Sequence, residues 1–474
     1  MADGAQLTGL TLKEVGDRIA AREVSPVEVV DATLERIEEL DPKLTAFVSV
    51  TADQARQAAK GAEASIAAGY HLGPLHGVPL ALKDLVGVRG EVSSAGSKVL
   101  GEHVPNEDAA VAAGLRAAGA IFVGRLNMHE FAYGVTTRNP HYGTARNPWN
   151  TERTPGGSSG GSGASVSARM AYGAIGTDTG CSIRLPAAWC GISGIRPTIG
   201  RISNYGITPL AWTLDTAGPM CRTVEDCALM FGPIAGYDAR DRQTANVPVH
   251  DYIGDLDRGL DGIRVAVIDD YSLTGQQEGV RGAMEAAIAT LESGGAQVTS
   301  VQLDHLEPAV SALLTVDVAE PAAYHAAWLR ERPEDYGQDV RALLEAGELY
   351  LATHYIQAQR YRTVLRDQFV EILRSADAIL TPTVGFTAPE VGATDVVIES
   401  GELFDMEAAV MRYNALPPLA GTPALSVPCG FSADDSMPVG MQLIGRAFDE
   451  ATLFRIGHGY QQLTDWHERE PSID

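Results

Sequence analysis

The sequence predicts one α/β domain built around a mixed β-sheet. Stretches with helical spacing of apolar residues alternate with short apolar runs, and no internal repeat divides the chain. At 474 residues with 45% hydrophobic residues, the chain is long enough to bury a large core. We therefore expect a single domain over residues 1–474, with a helical part at 1–70, a core carrying the candidate catalytic residues at 71–235, and an α/β part completing the sheet and pocket at 236–474.

The amino-terminal region, residues 11–69, has the pattern of helices. Ser25 before Pro26 is typical of an N-cap followed by proline at the first helical position, and VEVVDATLERIEEL carries apolar residues at helical spacing. Asp41-Pro42 is expected to end this helix. The alanine-rich TADQARQAAKGAEASIAAG predicts the next one.

The rest of the chain alternates between strands and helices. HGVPLALKDLVGV predicts a buried strand that carries Lys83, and AAVAAGLRAAGAIFVGRLN predicts a helix followed by a strand. ASVSARMAYGAI, inside the glycine-rich stretch of 139–199, has a helical pattern. A later helix is expected from about Val280 to Ser293, and buried strands are expected at IRVAVIDD (263–270), AQVTSVQL (296–303), DAILTPTV (377–384), TPALSVPCG (422–430) and GMQLIG (440–445).

The charge and cysteine content limit the expected partners and location. A net charge of −25 disfavours phosphate backbones and anionic membranes, so we expect no nucleic-acid partner and no membrane partner. No stretch approaches 18 uninterrupted apolar residues, and the start, MADGAQLTGLTLKEV, lacks a signal-peptide pattern. The five cysteines contain no C-x-x-C pair, which is typical of reduced thiols rather than a zinc site. We expect a cytoplasmic protein, and a homodimer is compatible with this composition.

The most informative stretch is TPGGSSGGSGASVSARMAYGAIGTDTGCSIRLPA, at 154–187. It holds Ser158-Ser159 and, 24 positions after Ser158, Ser182. Lys83 lies in an apolar run, where burial would lower its pKa from the usual value of about 10.4. A neutral lysine can be the base for a serine, a second serine can relay the proton, and glycine-rich backbone can hold an oxyanion. These residues predict acyl transfer at an amide or related carbonyl without a metal or another cofactor.

These motifs resemble the amidase signature family of serine hydrolases. The likeness rests on GGSSGGSG (156–163), GTDTGCSIRLPA (176–187) and the lysine of ALKD. It extends in the same order through NPHYGTARNPWN (139–150), GIRPTIGRIS (194–203), LDTAGPMCRTVEDCALM (214–230) and LAGTPALSVPCG (419–430), and is weakest from about 240 to 370. The resemblance implies one α/β domain whose large mixed sheet is covered by helices on both faces, and no cofactor.

Carried over residue by residue, the resemblance implies roles for the site. Ser182 would be the nucleophile, Ser158 the bridging serine in a cis peptide, and Lys83 the base. The oxyanion hole would consist of the main-chain N–H groups of four consecutive residues, Thr179, Gly180, Cys181 and Ser182. The supporting residues would be Ser159, beside the lysine, and the two that brace the loop, Asp178 and Arg184. Candidate substrate contacts are Ala132, Tyr133 and Gly134.

One position departs from the family pattern. The family usually has glycine where this chain has Cys181, next to the nucleophile. If the backbone there has a positive φ, a side chain costs about 1 kcal/mol or more. The thiol would also lie at the rim of the acyl pocket. The alternatives are that a small cysteine is simply tolerated, or that it changes substrate fit and sensitivity to oxidation.

Other catalytic patterns are less consistent with the sequence. Gly156–Gly160 fits the G-x-S-x-G nucleophile elbow, but the elbow needs a buried strand before it, and Asn150–Pro155 is polar. The histidines that could complete such a site lie in a polar, helical tail, at His458 and His467. Three others lack metal-ligand spacing and are expected to form structural hydrogen bonds: His76, His129 and His141.

The leading expectation is a stand-alone amidase. It would hydrolyse a small-molecule carboxylic amide, carbamate or anilide through a covalent acyl-enzyme, and the sequence does not select among these substrates. The alternative is the amidase-like subunit of a tRNA-dependent amidotransferase, which releases ammonia for a partner. Those subunits resemble this chain but carry an acidic residue where it has Met411 and asparagine where it has Pro418. A non-catalytic binding protein is disfavoured because Lys83, Ser158 and Ser182 are all present.

Overall fold

The computed structural model describes residues 4–268, 271–399 and 401–473. Eleven of the strands in these residues form one sheet, and the other four form two small hairpins. In chain order the strands are β1 (Phe47–Val50), β2 (Pro79–Lys83), β3 (Ile121–Leu126), β4 (Arg138–Asn139), β5 (Gly143–Thr144), β6 (Gly173–Asp178), β7 (Ser193–Arg196), β8 (Thr216–Cys221), β9 (Arg264–Ile268), β10 (Gln297–Val301), β11 (Ala378–Pro382), β12 (Asp395–Val397), β13 (Leu403–Asp405), β14 (Ala424–Phe431) and β15 (Pro438–Ile444).

The large sheet is mixed, as the sequence predicts. Its strand order is β1-β3-β2-β6-β8-β7-β14-β15-β11-β9-β10. Parallel pairs join β2 to both β3 and β6, and join β9 to both β10 and β11. The pairs between these two parallel groups are antiparallel, including β6 with β8 and β14 with β15. The carboxyl ends of β2 and β6 therefore lie at the same edge of the sheet.

Fifteen α-helices occur in the described part of the chain. They are α1 (Gly4–Gly9), α2 (Leu12–Ala20), α3 (Pro26–Leu44), α4 (Ala52–Ala67), α5 (Ala110–Ala117), α6 (Gly160–Ser167), α7 (Arg184–Cys190), α8 (Val224–Phe231), α9 (Glu278–Ser293), α10 (Ala309–Glu331), α11 (Gln338–Gly347), α12 (Ala352–Ser375), α13 (Met406–Asn414), α14 (Leu416–Ala420) and α15 (Glu450–Gln461). Among the described residues, no helix has the length and apolar composition needed to cross a membrane.

Helices cover both faces of the sheet, and the side chains of β2 show how. Leu80 and Leu82 belong to a buried cluster that includes Leu115 of α5. Ala81, between them, belongs to a different buried cluster that includes Ala59 of α4. Because successive side chains of a strand point to opposite faces, the two clusters lie on opposite sides of the sheet. The expected fold class is confirmed.

The amino-terminal helices agree with the sequence at one boundary and differ at another. Ser25 caps α3 by accepting a hydrogen bond from Val27 N at 3.0 Å, and Pro26 is the first helical residue. The expected break at Pro42 is wrong, since α3 continues to Leu44. Pro42 lies in the last turn, and the Asp41 carboxylate accepts hydrogen bonds from two N–H groups just beyond the helix, those of Ala46 and Phe47. The short strand β1, which follows at once, was not predicted.

The other predicted elements are confirmed, except that one helix is shorter than predicted. The strand carrying Lys83 is β2, and the predicted later strands correspond to β9, β10, β11, β14 and β15. The last two residues predicted for β9, at 269–270, lie outside the described residues. The helical pattern of ASVSARMAYGAI ends early, because α6 stops at Ser167 and β6 begins at Gly173. The long helices α10 to α12 lie in the region for which no element was predicted.

Two helical glycines differ in what surrounds them, and this difference can be tested. A Cβ on Gly161 of α6 would lie 2.4 Å from the main-chain oxygens of Ala46 and Asn127, whereas a Cβ on Gly61 of α4 would meet nothing within 4 Å. We expect Gly161→Ala to lower the free energy of unfolding by about 1–3 kcal/mol through overpacking. The matched control Gly61→Ala should raise it by about 0.5–1 kcal/mol through helix propensity. Urea unfolding measures both, and equal stability of the two variants would contradict this packing.

Candidate active site

Lys83 is the last residue of β2 and is completely buried. Its Nζ donates a hydrogen bond to Ser158 Oγ at 2.7 Å and another to Thr177 Oγ1 at 2.9 Å. Thr177 is near the end of β6, which runs parallel to β2, so both residues lie at the carboxyl edge of the sheet. The structure thus joins a lysine and a serine that are 75 positions apart.

The environment of Lys83 favours its neutral form. Burial lowers the pKa of the Lys83 ammonium to about 7, and the negative charges of Asp178 and Asp215 oppose only part of that shift. At pH 7 about half of a lysine with this pKa is neutral and able to accept a proton. The local chemistry is therefore that of a base held against a serine hydroxyl.

Two consecutive serines connect the lysine to the loop that carries Ser182. The peptide between Gly157 and Ser158 is cis, and α6 begins two residues after Ser158. Ser159 N donates to the main-chain oxygen of Ser182 at 3.3 Å. The Ser159 hydroxyl bonds to the main chain of Thr177, accepting from its N–H and donating to its oxygen, each at 3.3 Å. Ser159 is thus joined to Lys83 through Thr177, whose hydroxyl accepts a hydrogen bond from Lys83 Nζ.

The loop from Thr179 to Ile183 lies between β6 and α7 and is held by a buried ion-pair network. The Asp178 carboxylate receives Arg184 Nη2 at 2.8 Å and Arg196 Nη1 at 3.1 Å, and all three side chains are completely buried. Burial disfavours the charged carboxylate, but the two guanidinium groups outweigh it and hold the pKa of Asp178 well below its usual range. Ile183 N also donates to this carboxylate, at 3.1 Å.

The same network also fixes the main chain of the loop. Arg184 Nη2 donates to the carbonyl oxygen of Gly180 at 2.5 Å, which fixes the orientation of that peptide. Within the described part of the chain, no protein group accepts a hydrogen bond from the N–H groups of Gly180, Cys181 or Ser182. Ser182 itself is 5% exposed. Free N–H donors beside a serine are the arrangement that stabilises a tetrahedral intermediate.

Cys181 is accommodated without backbone strain. Among the described residues, it is not one of those with positive φ, so the strain considered for a side chain at this position does not occur. The side chain is 1% exposed, and its Sγ lies 3.9 Å from the carbonyl oxygen of Gly157. Burial, followed by the nearby charge of Asp178, raises the pKa of the Cys181 thiol. The thiol is therefore a packing group with little thiolate character.

Three residues that sequence reasoning did not assign also support the site. Thr177 holds Lys83, and Arg196 shares the Asp178 carboxylate with Arg184. Asp215 accepts a hydrogen bond from Thr179 Oγ1 at 2.6 Å, and burial raises its pKa to about 6. Each of the three lies in one of the motifs that carry the family resemblance. Their polar side chains among apolar neighbours were the feature of the sequence that could have identified them.

The three candidate substrate contacts line two different cavities. Ala132 lines a cavity of about 220 Å³ together with Thr177 and Thr179. Tyr133 and Gly134 line another of about 210 Å³, which also includes Glu407. A Cβ on Gly134 would lie 2.4 Å from the His129 ring, so glycine permits this close approach. The expectation that all three residues face substrate stays a prediction.

Four of the histidines considered in the sequence form hydrogen bonds with protein groups. His129 Nε2 lies 3.3 Å from Asp339 Oδ2, His141 Nε2 lies 2.8 Å from Glu130 Oε1, and His76 Nδ1 accepts from Leu72 N at 3.2 Å. The carboxyl-terminal His458 lies 3.3 Å from Asp257. Within the described residues no β-strand immediately precedes Gly156–Gly160, which disfavours the nucleophile elbow.

Comparison with known proteins extends these observations. The family model described as Amidase matches residues 28–454. A glutamyl-tRNA(Gln) amidotransferase subunit of Roseiflexus sp. (strain RS-1) is 40% identical over 487 residues, which cover 98% of this chain and 98% of that protein. The likeness to this relative therefore extends over nearly the full length of both proteins.

Solved structures agree with the fold. One solved structure matches with a TM-score of 0.91 and 32% identity, covering 96% of this chain and 98% of that one. It is described as an unexpected vestigial protein complex that reveals the evolutionary origins of an s-triazine catabolic enzyme. The native peptide amidase from Stenotrophomonas maltophilia has a TM-score of 0.85 and 30% identity, covering 98% of both chains.

The expectation of a small-molecule partner alone, with no nucleic acid, is wrong. The relative that is 40% identical over 98% of this chain is named for a glutamyl-tRNA and as one subunit of an enzyme. The expectation rested on the net charge of −25, which averages over the whole surface. Net charge does not report on a local surface or on an assembly in which another chain holds the nucleic acid.

The catalytic geometry and the comparisons lead to the same family. A buried lysine contacts the serine of a glycine-rich loop, and a second serine lies in a loop with free N–H donors. Since the family model covers residues 28–454 and the relative is matched over almost its entire length, the chain is an enzyme of the kind that cleaves amide bonds and belongs to the amidase signature family.

Proposed function

We propose that this chain is the amide-cleaving subunit of an amidotransferase that acts on a glutamyl-tRNA, releasing ammonia for a partner. Support comes from the relative of that name, which is 40% identical over 98% of both proteins. The observation that carries the chemical part is the buried contact between Lys83 Nζ and Ser158 Oγ at 2.7 Å. A neutral lysine there can drive serine acylation without histidine or metal.

The proposed mechanism combines the hydrogen bond between Lys83 and Ser158 with a proton transfer from Ser182 to Ser158 during the reaction. Ser158 accepts the proton of the Ser182 hydroxyl as Ser182 Oγ attacks the amide carbon, and Ser158 passes its own proton to neutral Lys83. The N–H groups of Thr179, Gly180, Cys181 and Ser182 hold the oxyanion. The C–N bond then breaks, and the leaving nitrogen takes the proton back through the same relay. Water, deprotonated by that relay, attacks the acyl-enzyme and frees Ser182.

A self-sufficient amidase is the second candidate, and one observation favours it. Met411 Cε and Sδ lie 3.1 and 3.2 Å from the place where a Cβ on Gly180 would lie. An apolar side chain thus packs beside the candidate oxyanion loop, at a position where the amidotransferase subunits are expected to have an acid. Pro418, in α14, is a second difference, because those subunits are expected to have asparagine at that position.

Measured release of ammonia or amine separates the two candidates. The purified chain is offered glutamine and a panel of primary amides, anilides and carbamates, first alone and then with co-purified partner chains and glutamyl-tRNA. Release from glutamine that requires the partner chains supports the amidotransferase role. Full turnover by the chain alone supports the self-sufficient amidase and contradicts that role.

Ser182→Ala should abolish cleavage of every substrate in this panel. Removal of the nucleophile of a serine hydrolase costs about 10³-fold or more in kcat, and the acyl-enzyme should disappear. The matched control is Ser165→Ala, because Ser165 is a buried serine of α6 whose hydroxyl, among the described residues, bonds only within that helix, to Ser162 O at 3.2 Å. Steady-state kinetics and mass spectrometry measure the two effects. Full activity in Ser182→Ala would contradict the assignment of Ser182 as the nucleophile.

The rate should depend on the protonation of Lys83. Below its pKa of about 7 the lysine carries a proton and cannot accept another, so kcat/KM should rise about tenfold per pH unit up to that value and then level off. Asp215→Asn removes a charge that raises the pKa of Lys83, so the acid limb should move to lower pH. Profiles of wild type and variant, measured in single turnovers, test this. A flat profile between pH 6 and 10 argues against a lysine base.

A further inference from the structure

One edge of the large sheet is open. The strand β10 is the last in the strand order, and among the described residues it pairs with β9 alone. Three of its five residues are exposed, namely Gln297, Thr299 and Ser300. A strand at the edge of a sheet presents main-chain N–H and C=O groups with which another strand can pair. The outer side of β10 is therefore available for such pairing.

The register with β9 identifies the main-chain groups on that outer side. Gln297 N donates to Ile263 O at 2.8 Å, and the parallel pairing continues without a shift as far as Val301. Because alternate residues of a parallel strand bond to the same neighbour, the first, third and fifth residues of β10 bond to β9. The second and fourth, Val298 and Ser300, present their main-chain groups outward. Within the described part of the chain, no group outside the sheet bonds to the main chain of either residue.

The outer side of β10 lacks the features that usually keep sheet edges apart. Natural edge strands are protected by charges, prolines, bulges or short length. The run AQVTSVQL (296–303), which contains β10, has no charged residue and no proline, in a chain in which 20% of the residues are charged. The strand at the opposite edge, β1, has four residues and a register shift between Phe47 and Ser49. Of the two edges of this sheet, that of β10 is the longer and the more regular.

The neutrality of β10 favours a second copy of the chain as its partner. Each copy has a net charge of −25, so two copies repel each other over most of their surfaces. In a pair related by a two-fold axis the same patch of both copies meets, and any charge on that patch faces its own kind. Like charges directly opposite each other destabilise a strand pair, and β10 carries none.

An apolar side chain of α12 flanks the same edge. Tyr361 Oη donates to His305 O at 2.6 Å, and Gln368 Oε1 accepts from Asp304 N at 3.0 Å, so this face of α12 lies against the chain just after β10. Val364 is three positions after Tyr361 and four before Gln368, on the same helix face, and it is 45% exposed. A second copy paired with β10 would approach this side chain and add apolar burial to the main-chain hydrogen bonds.

We propose that two copies of the chain associate through β10, with the two strands antiparallel about a two-fold axis at Thr299. In this register Val298 of each copy lies opposite Ser300 of the other, so both outward residues find partners within the strand. Each such pair exchanges both of its N–H···O=C hydrogen bonds. The two sheets then form one continuous sheet. This association goes beyond the proposed function, because it does not depend on which amide the chain cleaves.

The outward N–H of Ser300 gives the first test. Ser300→Pro removes this donor, and proline is tolerated on the outer side of an edge strand. The matched control is Ser300→Ala, which keeps the N–H. In sedimentation experiments we expect wild type and Ser300→Ala to form dimers, and Ser300→Pro to be a monomer with the circular dichroism of wild type. A wild-type chain that stays monomeric up to the limit of its solubility, or a dimeric Ser300→Pro, overturns the proposal.

Thr299→Cys tests the register and remains informative if Ser300→Pro does not fold. In the proposed pair Thr299 faces its counterpart at a non-hydrogen-bonded position, where the Cα atoms are about 4.5 Å apart and a disulfide can form. The matched control is Ser300→Cys, the next residue of the strand and also exposed. Its counterpart is a diagonal neighbour about 7–8 Å away, which is too far for an unstrained disulfide.

Mild oxidation of the two cysteine variants is followed by non-reducing electrophoresis. All five native cysteines are buried, so the introduced thiols are the accessible ones. We expect Thr299→Cys to form a covalent dimer at least about tenfold faster than Ser300→Cys, because only its thiols meet without backbone movement. Equal rates for the two variants, or no covalent dimer of Thr299→Cys, overturn the proposed pairing.

Discussion

The burial of Lys83 is the constraint on which the site depends. At the end of β2, surrounded by protein, an ammonium loses its hydration, and burial brings the pKa of Lys83 to about 7. The negative charge that most opposes this effect is that of Asp178, and two arginines neutralise it. The ion pairs therefore also affect the charge of Lys83, because an unpaired carboxylate would raise the lysine pKa and favour its protonated form at neutral pH.

The sheet topology explains how distant segments meet. Parallel pairing of β2 with β6 places Lys83 and Thr177 at the same edge, and the chain leaves β6 directly into the loop that carries Ser182. The loop before α6 reaches the same edge, and Ser159 N bonds to Ser182 O across the two loops. Catalytic groups at the carboxyl ends of parallel strands are typical of α/β sheets. In this protein, that edge brings together three segments that are separated in the sequence.

The sequence predicted several buried strands correctly, but it gave no prediction for the long helices α10 to α12 and a wrong one for the partners. The roles of the reactive residues stay predictions. Lys83, Ser158 and Ser182 carried a recognisable chemistry, and the apolar runs of β2, β11 and β14 gave correct strands. Pro42 was misread because a proline in the last turn displaces few hydrogen bonds. Thr177 could not be assigned, since its role arises from strand register, and register is a tertiary property. The prediction of no nucleic-acid partner was wrong because net charge does not report on the other chains of an assembly.

Chemistry and specificity come from different parts of this chain. The base, the serines and the loop that Arg184 braces lie between residues 83 and 196, where the family motifs are dense. Leu313, one of the apolar side chains beside that loop, lies on α10, in the region where the resemblance is weakest. Because the Gly180 loop contacts α10 and α13 directly, a change on these helices can alter the substrate without touching the proton relay. Family membership therefore fixes the reaction class of this chain, whereas the side chains that these two helices place beside the Gly180 loop lie outside the motifs that carry the resemblance.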